Sequence, residues 1–360
     1  MQAWKDAAEF VDNKWAQAFD KANEVRKGFA QRLDDTSGRY SLSQNTHDLV
    51  IRFISALPLK DKPRLITTNG EFHSIRRQLN RLEEEGVKIT RIDNTQMEYV
   101  VDDIINAMND KTSAVLVSSV FFNNGQILQG IERLAKACDQ FDIKLLVDAY
   151  HHINVVPFSI QQNSLENAYV VGGGYKYCQL GEGNCFLRFP EHCALRPVIT
   201  GWLAEFDSLY KASENGARVS YKSADDRFAG ATYDPTSHYR AAEVFHFFDE
   251  QKMTPEFLRE QSQRQIGLLM QRFDEADFEQ KIIQRDLNYS LATTAGFLAL
   301  KSQYAEKIKN ELSKHDVYSD VRADVLRLGP APYLSDQQLA TAMDCLQDIV
   351  RKIEHKFTVS

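Results

Sequence analysis

Two residues with complementary chemistry follow strand-like segments in the middle of this sequence. Asp148 ends the segment KLLVD, and Lys176 lies beyond the segment YVVGGG, which closes with three glycines. A lysine amine forms a Schiff base with an aldehyde. A buried acid pairs with a pyridinium nitrogen and keeps it protonated, so that the ring accepts electrons from a substrate. The pair is the arrangement that a pyridoxal phosphate (PLP) enzyme needs, although each residue alone is also typical of a helix cap or a solvated surface.

A phosphate site and a stacking ring are the other features that this cofactor requires. Residues 44–47, Gln-Asn-Thr-His, open a predicted helix, whose first N–H groups and hydroxyl are suited to phosphate. A plain N-cap formed by Asn45 or Thr46 explains the same residues equally well. Phe72 follows the predicted strand exit TTNG and is suited to cover the pyridine ring. The alternative for Phe72 is a hydrophobic first turn of a helix.

Six short segments carry a family resemblance that extends from about Gln44 to Tyr333. They read EFHS, VDAYHH, GGGYKYCQLGEG, ITGWLAEF, FAGATYDPTS and RLGPAPY. The chain resembles fold-type I PLP enzymes of the class V aminotransferase group, and within that group it is most similar to kynureninases. The resemblance implies PLP as the cofactor. It also implies an α/β fold in which a large domain with a mostly parallel seven-stranded sheet is joined by a smaller α+β domain.

The resemblance implies a role for each matching residue of the large domain. Lys176 would be the internal-aldimine lysine, and Asp148 the partner of the pyridine nitrogen. His151 falls where the family places a side chain near the phenolic oxygen of the cofactor. Phe72 would stack on the ring. Tyr175 would hold the phosphate and relay protons, and Asn45 and Thr46 would also contribute to cofactor binding.

Three further residues extend the resemblance to a partner subunit and to the substrate. Trp202, in ITGWLAEF, and Thr232, in FAGATYDPTS, would reach the phosphate site of a neighbouring subunit, which predicts a homodimer with shared active sites. Arg327, in RLGPAPY, matches the arginine that binds the substrate α-carboxylate. A guanidinium grips a carboxylate at two points, so the role is physically reasonable. The alternative for Arg327 is a surface arginine on a strand.

The reaction remains open among several outcomes of PLP chemistry. The chain has Phe-His-Ser-Ile at residues 72–75, where kynureninases carry Phe-Pro-Thr-Asp, so the substrate pocket of that family does not carry over. We predict kynureninase-like cleavage or substitution at the β-carbon of an α-amino acid. The alternatives are transamination and a non-catalytic PLP-binding protein. A cysteine desulfurase is disfavoured, because no cysteine lies between Cys193 and Cys345 to act as the nucleophile.

The elements that must position these residues alternate along the chain. From about residue 45, strand-like and helical segments follow one another, which predicts right-handed crossovers and a mostly parallel sheet covered on both faces. Later segments are longer helices with strand-like runs at Leu291–Leu300 and Asp324–Leu328. We therefore predict a large PLP-binding domain over residues 34–235. Residues 236–360, together with residues 1–33, are predicted to form the small domain.

Composition excludes several other classes of protein. The chain has 43 basic and 50 acidic residues among 360, a net charge of −7, which argues against nucleic-acid and anionic membrane surfaces as partners. Its five cysteines form no CxxC pair and fit no zinc pattern, so no metal site is predicted. The first 33 residues show no apolar signal segment, and we expect a cytoplasmic protein whose partner is a small-molecule amino-acid substrate.

Overall fold

The chain forms two compact units. The computed structural model describes residues 1–10, 13–208, 216, 218–221 and 225–358. The first unit consists of Met1–Ser119 and Leu128–Thr254, and the second of Val120–Ile127 and Pro255–Ser360. Each unit has a sheet of its own. Among the described residues, no helix combines the length and the apolar character that a membrane span requires.

A seven-stranded sheet forms the centre of the first unit. Its strands are β1 (Gly38–Ser43), β2 (Arg64–Thr68), β3 (Lys88–Ile92), β4 (Thr112–Ser118), β5 (Lys144–Asp148), β6 (Tyr169–Gly173) and β7 (Cys185–Pro190), in the spatial order β1-β7-β6-β5-β4-β2-β3. Strand β7 pairs antiparallel with both of its neighbours, and the pairs from β6 to β3 are parallel. The prediction of a mostly parallel seven-stranded sheet is confirmed.

Helices cover this sheet because the crossovers between parallel strands are helical. They are α1 (Gln2–Glu9), α2 (Lys14–Arg32), α3 (Thr46–Ser55), α4 (His73–Glu84), α5 (Val100–Ala107), α6 (Ile131–Gln140) and α7 (Thr236–Glu250), and a short 3-10 helix spans Trp202–Ser208. Apolar residues of α3 and α4, such as Phe53 and Leu79, share one core with Leu116 and Leu146 of the central strands. Every residue of β4 and β6 is buried, as expected for strands covered on both faces.

The second unit is a smaller α+β structure. Strands β8 (Leu298–Lys301), β9 (Asp320–Arg322) and β10 (Val325–Leu328) form an antiparallel sheet in the order β8-β10-β9. Helices α8 (Pro255–Glu275), α9 (Ala305–Ser313) and α10 (Asp336–Thr358) accompany it. One apolar core joins the helices to the sheet through residues such as Leu269, Leu300, Ile308, Leu326 and Leu346.

The division between the units differs from the predicted one at both boundaries of the large domain. Residues 1–33 and helix α7 belong to the first unit and not to the small domain. Both helices contact the rest of this unit: the Phe29 ring of α2 lies 4.4 Å from the Phe186 ring of β7, and Arg240 of α7 donates to the Leu180 carbonyl at 2.7 Å.

The two helices also pack on each other. Phe29 and Phe245 form an edge-to-face ring pair at 5.3 Å, and the Arg32 guanidinium lies 4.2 Å from the centre of the Phe245 ring. A side chain at Gly28 would collide with the same ring.

The strand predicted over Leu291–Leu300 is mostly wrong. The structure pairs only Leu298–Lys301 as a strand, and residues 290–294 form a turn held by the Ser290 and Thr293 side chains. Hydroxyl groups that bond to nearby backbone compete with strand pairing. The apolar pattern of this segment therefore reflects burial in the core and not a regular strand.

Candidate active site

The carboxyl ends of four adjacent strands, β6, β5, β4 and β2, meet along one edge of the large sheet. Asp148 is the last residue of β5, the Lys176 turn follows β6, and Phe72 follows β2. In open parallel sheets this edge is where ligands bind. The fold therefore brings three of the predicted site residues to the same edge.

Asp148 is a half-buried carboxyl. Burial raises its pKa to about 6, while the backbone N–H of Tyr150, which donates to Asp148 Oδ1 at 2.9 Å, and the charge of Lys176 act in the opposite direction. In such surroundings a nearby cation stabilises the ionised form of the carboxyl. The predicted neighbours Asp148 and Lys176 are thus close enough to interact electrostatically.

The glycines before Lys176 allow the turn to pack tightly against neighbouring side chains. A β-carbon at Gly173 would lie 2.6 Å from Cys185 Sγ, and one at Gly174 would lie 2.5 Å from the Leu180 side chain. The turn is closed by the N–H of Gly174, which donates to the Asn184 carbonyl at 2.8 Å. The β-carbon positions of Gly173 and Gly174 face protein side chains, so glycine at these positions serves the packing of the turn.

Two residues for which the sequence predicts no role lie at this site. Tyr150 packs against the lysine turn, where a β-carbon at Gly173 would lie 2.7 Å from its ring, and its hydroxyl is near Cys185 and the backbone of Tyr175. Glu71 is a buried acid directly before Phe72 and is 1% exposed. Both residues stand within the motifs VDAYHH and EFHS, but an isolated Tyr or Glu in a short motif carries no signal of burial.

An aromatic and imidazole cluster borders the edge. Phe72 is the N-cap residue of α4, and its ring centre lies 6.4 Å from that of His151 and 5.3 Å from that of His73. His151 is 7% exposed. His152 packs on Phe158 at a ring distance of 4.7 Å, as expected for a residue without a predicted role.

The predicted phosphate site at the start of α3 contains an ordinary helix cap. Asn45 Oδ1 accepts the backbone N–H of Asp48 at 2.9 Å, and the Thr46 N–H donates to Cys185 Sγ. The capping alternative for Asn45 is therefore present in the structure. A phosphate role for the other donors of this turn stays a prediction.

The residues predicted to cross a subunit interface contact each other within one chain. The Trp202 indole N–H donates to Thr232 Oγ1 at 3.2 Å, and the Trp202 ring meets Trp15 edge-to-face at 6.4 Å. Tyr175, the predicted phosphate ligand, is 58% exposed. Their roles toward a partner subunit and the phosphate stay predictions.

Arg327 lies in the second unit, on β10, and is 8% exposed. It is therefore not the surface arginine that was the alternative. Its Nη1 donates to the Phe122 carbonyl at 2.6 Å, and its Nη2 pairs with Asp320, the residue opposite it on β9. Burial works against the ionised form of Asp320, yet the hydrogen bond and charge of Arg327 hold its pKa below the ordinary value.

Comparison with known proteins identifies the family. The family model described as Aminotransferase class-V matches residues 15–265. The chain belongs to this family. Among the described residues, no group of three or more His, Cys, Asp or Glu side chains is placed to hold a metal ion.

Two relatives of this class V chain match nearly its whole length at low identity. An uncharacterized aminotransferase of Bacillus subtilis (strain 168), YcbU, is 20% identical over 361 residues, which cover 99% of this chain and 90% of that protein. A kynureninase of Bacillus mycoides (strain KBAB4) is 24% identical over 377 residues, which cover 99% and 84%.

A solved structure shares the fold of this class V chain. It is a mutant of C-DES with glycine covalently linked to the PLP cofactor, with a TM-score of 0.79 and 14% identity over 96% of this chain and 91% of that one. At this identity the likeness concerns the fold, which is that of fold-type I PLP enzymes.

PLP is the cofactor of the class V family, and the side chains of the site suit it. The sheet edge carries a carboxyl with a raised pKa, an amine that interacts with it and an aromatic ring. These three groups suit the pyridine nitrogen, the aldehyde and the ring face of PLP, respectively. The reaction that the family member performs is a separate question.

Proposed function

We propose that this chain is a PLP-dependent enzyme that cleaves or substitutes at the β-carbon of an α-amino acid, as a kynureninase does. The observation that carries the proposal is that the charge of Lys176 acts on the half-buried Asp148 at the ends of two adjacent parallel strands. The relative named a kynureninase, which matches 99% of this chain, supports the choice of reaction.

The chain's own residues would divide the work of holding the cofactor. When bound, PLP supplies a ring that accepts the electrons of a bond broken at the substrate α-carbon. Asp148 would keep a proton on the pyridine nitrogen, Phe72 would pack on the ring, and His151 would bond to the phenolic oxygen. Lys176 would hold the aldehyde carbon and move a proton at the substrate α-carbon. Asn45, Thr46 and their neighbours at the start of α3 would bind the phosphate.

The substrate would be held by its carboxylate and processed by an exposed acid–base group. Arg327 would bind the α-carboxylate in place of part of its contact with Asp320. Tyr175, with its ring 58% exposed, is available to exchange protons near the β-carbon. We also propose a cytoplasmic homodimer, in which Trp202 and Thr232 complete the phosphate site of the partner subunit.

The second candidate is transamination by the same lysine. The relative named an uncharacterized aminotransferase, which also matches 99% of this chain, supports it. A cysteine desulfurase is a poorer fit, since Cys345 lies within α10, where burial and then the charge of Asp348 raise the pKa of its thiol. A protein that only binds PLP would use Lys176 and Asp148 to hold the cofactor and would convert no amino acid.

A substrate panel distinguishes these reactions. The PLP-loaded protein is mixed with kynurenine, 3-hydroxykynurenine, cysteine, alanine or aspartate, the absorption spectrum is recorded, and products are identified by mass spectrometry. We expect a spectral response and products cleaved at the β-carbon with at least one substrate, and none with Lys176→Ala. An oxo acid formed together with pyridoxamine phosphate would establish the aminotransferase instead. No spectral response to any amino acid would support the binding protein.

A further inference from the structure

Glu71 is a buried acid for which the proposed reaction has no use. It follows β2 and is 1% exposed. Both of its carboxyl oxygens are held: Thr68 Oγ1 donates to Oε1 and Ser118 Oγ donates to Oε2, each at 2.6 Å. Thr68 Oγ1 also accepts the N–H of Gly70 at 3.1 Å, so the turn that leads to Phe72 is closed by one hydrogen-bond network.

This network reaches the neighbour of Asp148 in the sheet. Ser118 ends β4, and the ladder between β4 and β5 places it directly opposite Asp148. Glu71 therefore extends from β2 to β4 and lies close enough for the Asp148 charge to act on it. Burial raises the pKa of Glu71 to about 7, the two hydroxyl bonds oppose this, and the Asp148 charge adds to it.

Two carboxyls at one sheet edge, Glu71 buried and Asp148 half-buried, favour a cation beside them. The other titratable groups near the pair are Lys176, Tyr150 and Cys185, which interact electrostatically with Asp148, and the imidazoles His151 and His73, which are near in sequence. A single carboxylate is enough to pair with a pyridinium nitrogen. A second one behind it increases the negative potential at that nitrogen and at any cation that the ring carries.

We propose that Glu71 is a positioning residue of the PLP site, which adds negative potential behind Asp148 and holds the turn that carries Phe72. The inference rests on the proposed function only in that PLP is held by Lys176 and Asp148. Glu71 does not touch the cofactor in this account. It acts through Asp148 by charge and through Phe72 by the fixed turn.

The variant Glu71→Gln removes the charge and keeps the shape. Its amide oxygen accepts one hydroxyl, and its amide nitrogen donates to the other, so the turn stays closed. The readout is the pH midpoint of the visible absorption change of the lysine-bound cofactor. Because a nearby negative charge stabilises the protonated cofactor, we expect the midpoint to fall by about half a pH unit or more in Glu71→Gln. PLP affinity, measured by titration of the apoprotein, is expected to fall about 3-fold to 10-fold.

Two further variants keep the result interpretable. Glu84→Gln makes the same chemical change on a side chain of α4 that is 68% exposed, and it is expected to leave the midpoint unchanged. Ser118→Ala removes one donor to Glu71, which makes its carboxylate less stable, and it is expected to lower the midpoint by less than Glu71→Gln does. If Glu71→Gln does not fold, the midpoint of Ser118→Ala tests the inference.

The outcomes separate this inference from the proposed function. An unchanged midpoint in both Glu71→Gln and Ser118→Ala, with the wild-type protein taking up PLP on Lys176, would overturn the role of Glu71 alone. If Glu71 had a structural role alone, Glu71→Gln would reduce the yield of folded protein without moving the midpoint. That result would also overturn the inference. Failure of the wild-type protein to bind PLP would instead contradict the proposed function.

Discussion

Tyr150 shows how a single side chain can support the reactive lysine without contacting a substrate. Its ring fills the space that the missing side chain of Gly173 leaves, and its hydroxyl is near the backbone of Tyr175. Lys176 is the next residue along the chain. The direction in which the lysine side chain leaves the turn therefore depends on Tyr150.

The variant Tyr150→Phe tests this dependence. Loss of the half-buried hydroxyl beside the Tyr175 backbone is expected to lower the free energy of unfolding by about 1 kcal/mol and to weaken PLP binding several-fold. Urea unfolding of the apoprotein and PLP titration measure the two effects. Tyr99→Phe, at a tyrosine that is 53% exposed, is the matched control. Unchanged PLP affinity in Tyr150→Phe would show that the turn keeps its conformation without the Tyr150 hydroxyl.

Arg327 makes a second prediction at the residue scale, because Asp320 already pairs with its guanidinium. If the guanidinium binds a substrate carboxylate, Asp320 competes with that substrate. We expect Arg327→Lys to raise KM about 10-fold or more through loss of the two-point contact, and Asp320→Asn to lower KM. Steady-state kinetics on the substrate found in the panel measure both. An increase of KM in Asp320→Asn would mean that the aspartate positions the arginine and does not compete.

At the scale of elements, the alternation of apolar segments was sufficient to predict the parallel strands and the crossover helices. Strands β1 and β7 were missed. Strand β7 is fully buried but contains Arg188, whose charge is compensated by Asp35 at 2.9 Å and by the carbonyls of residues 165, 166 and 168. A charge inside a strand looks like a surface feature until its distant partner is known.

The start of α3 offers a prediction at this scale, since the cap and the phosphate site use the same turn. Asn45→Ala is expected to lower the free energy of unfolding by about 1 kcal/mol through loss of the cap. Asn45→Asp caps equally well but adds a negative charge where phosphate would bind. If the turn binds phosphate, Asn45→Asp keeps stability and loses PLP affinity. Equal PLP affinity in wild type and Asn45→Asp would limit this turn to capping.

At the scale of the whole molecule, the boundary between the units could not be inferred from local patterns. Helix α2 has the spacing of a surface helix, and its contacts with Phe186 of β7 and with the Tyr40 carbonyl of β1, both distant or unpatterned in the sequence, assign it to the first unit. The central residues of the site could be predicted from the sequence, because Lys176 and Asp148 lie at the ends of strands that the apolar pattern identifies. The roles of Glu71 and Tyr150 could not be predicted, since they depend on burial in the folded chain.

Two buried groups give opposite pH dependences of stability. The folded protein holds a proton on Glu71 up to a pKa of about 7 against an ordinary 4.5, so Glu71 reduces stability as pH rises through this window, by about 3 kcal/mol. Burial lowers the pKa of His238 from 6.5 to about 4, so the unfolded chain binds more protons there, and His238 reduces stability as pH falls from about 6.5 to 4, by a similar amount.

The two contributions oppose each other between about pH 4.5 and 6.5, so variants are needed to see them. Relative to wild-type apoprotein, Glu71→Gln is expected to gain stability as pH rises from 5 to 8, and His238→Gln as pH falls from 7 to 4. Urea unfolding followed by circular dichroism over this pH range measures both differences. Curves parallel to that of the wild-type protein would show that these groups titrate normally in the folded state.

The most direct test of the account is to find where PLP is attached. The purified protein is loaded with PLP, reduced with borohydride, digested and analysed by mass spectrometry. The account predicts that the reduced cofactor lies on the peptide that contains Lys176, and that Lys176→Ala abolishes this labelling while the fold is retained. Absence of bound PLP, or specific labelling of another lysine, would contradict it.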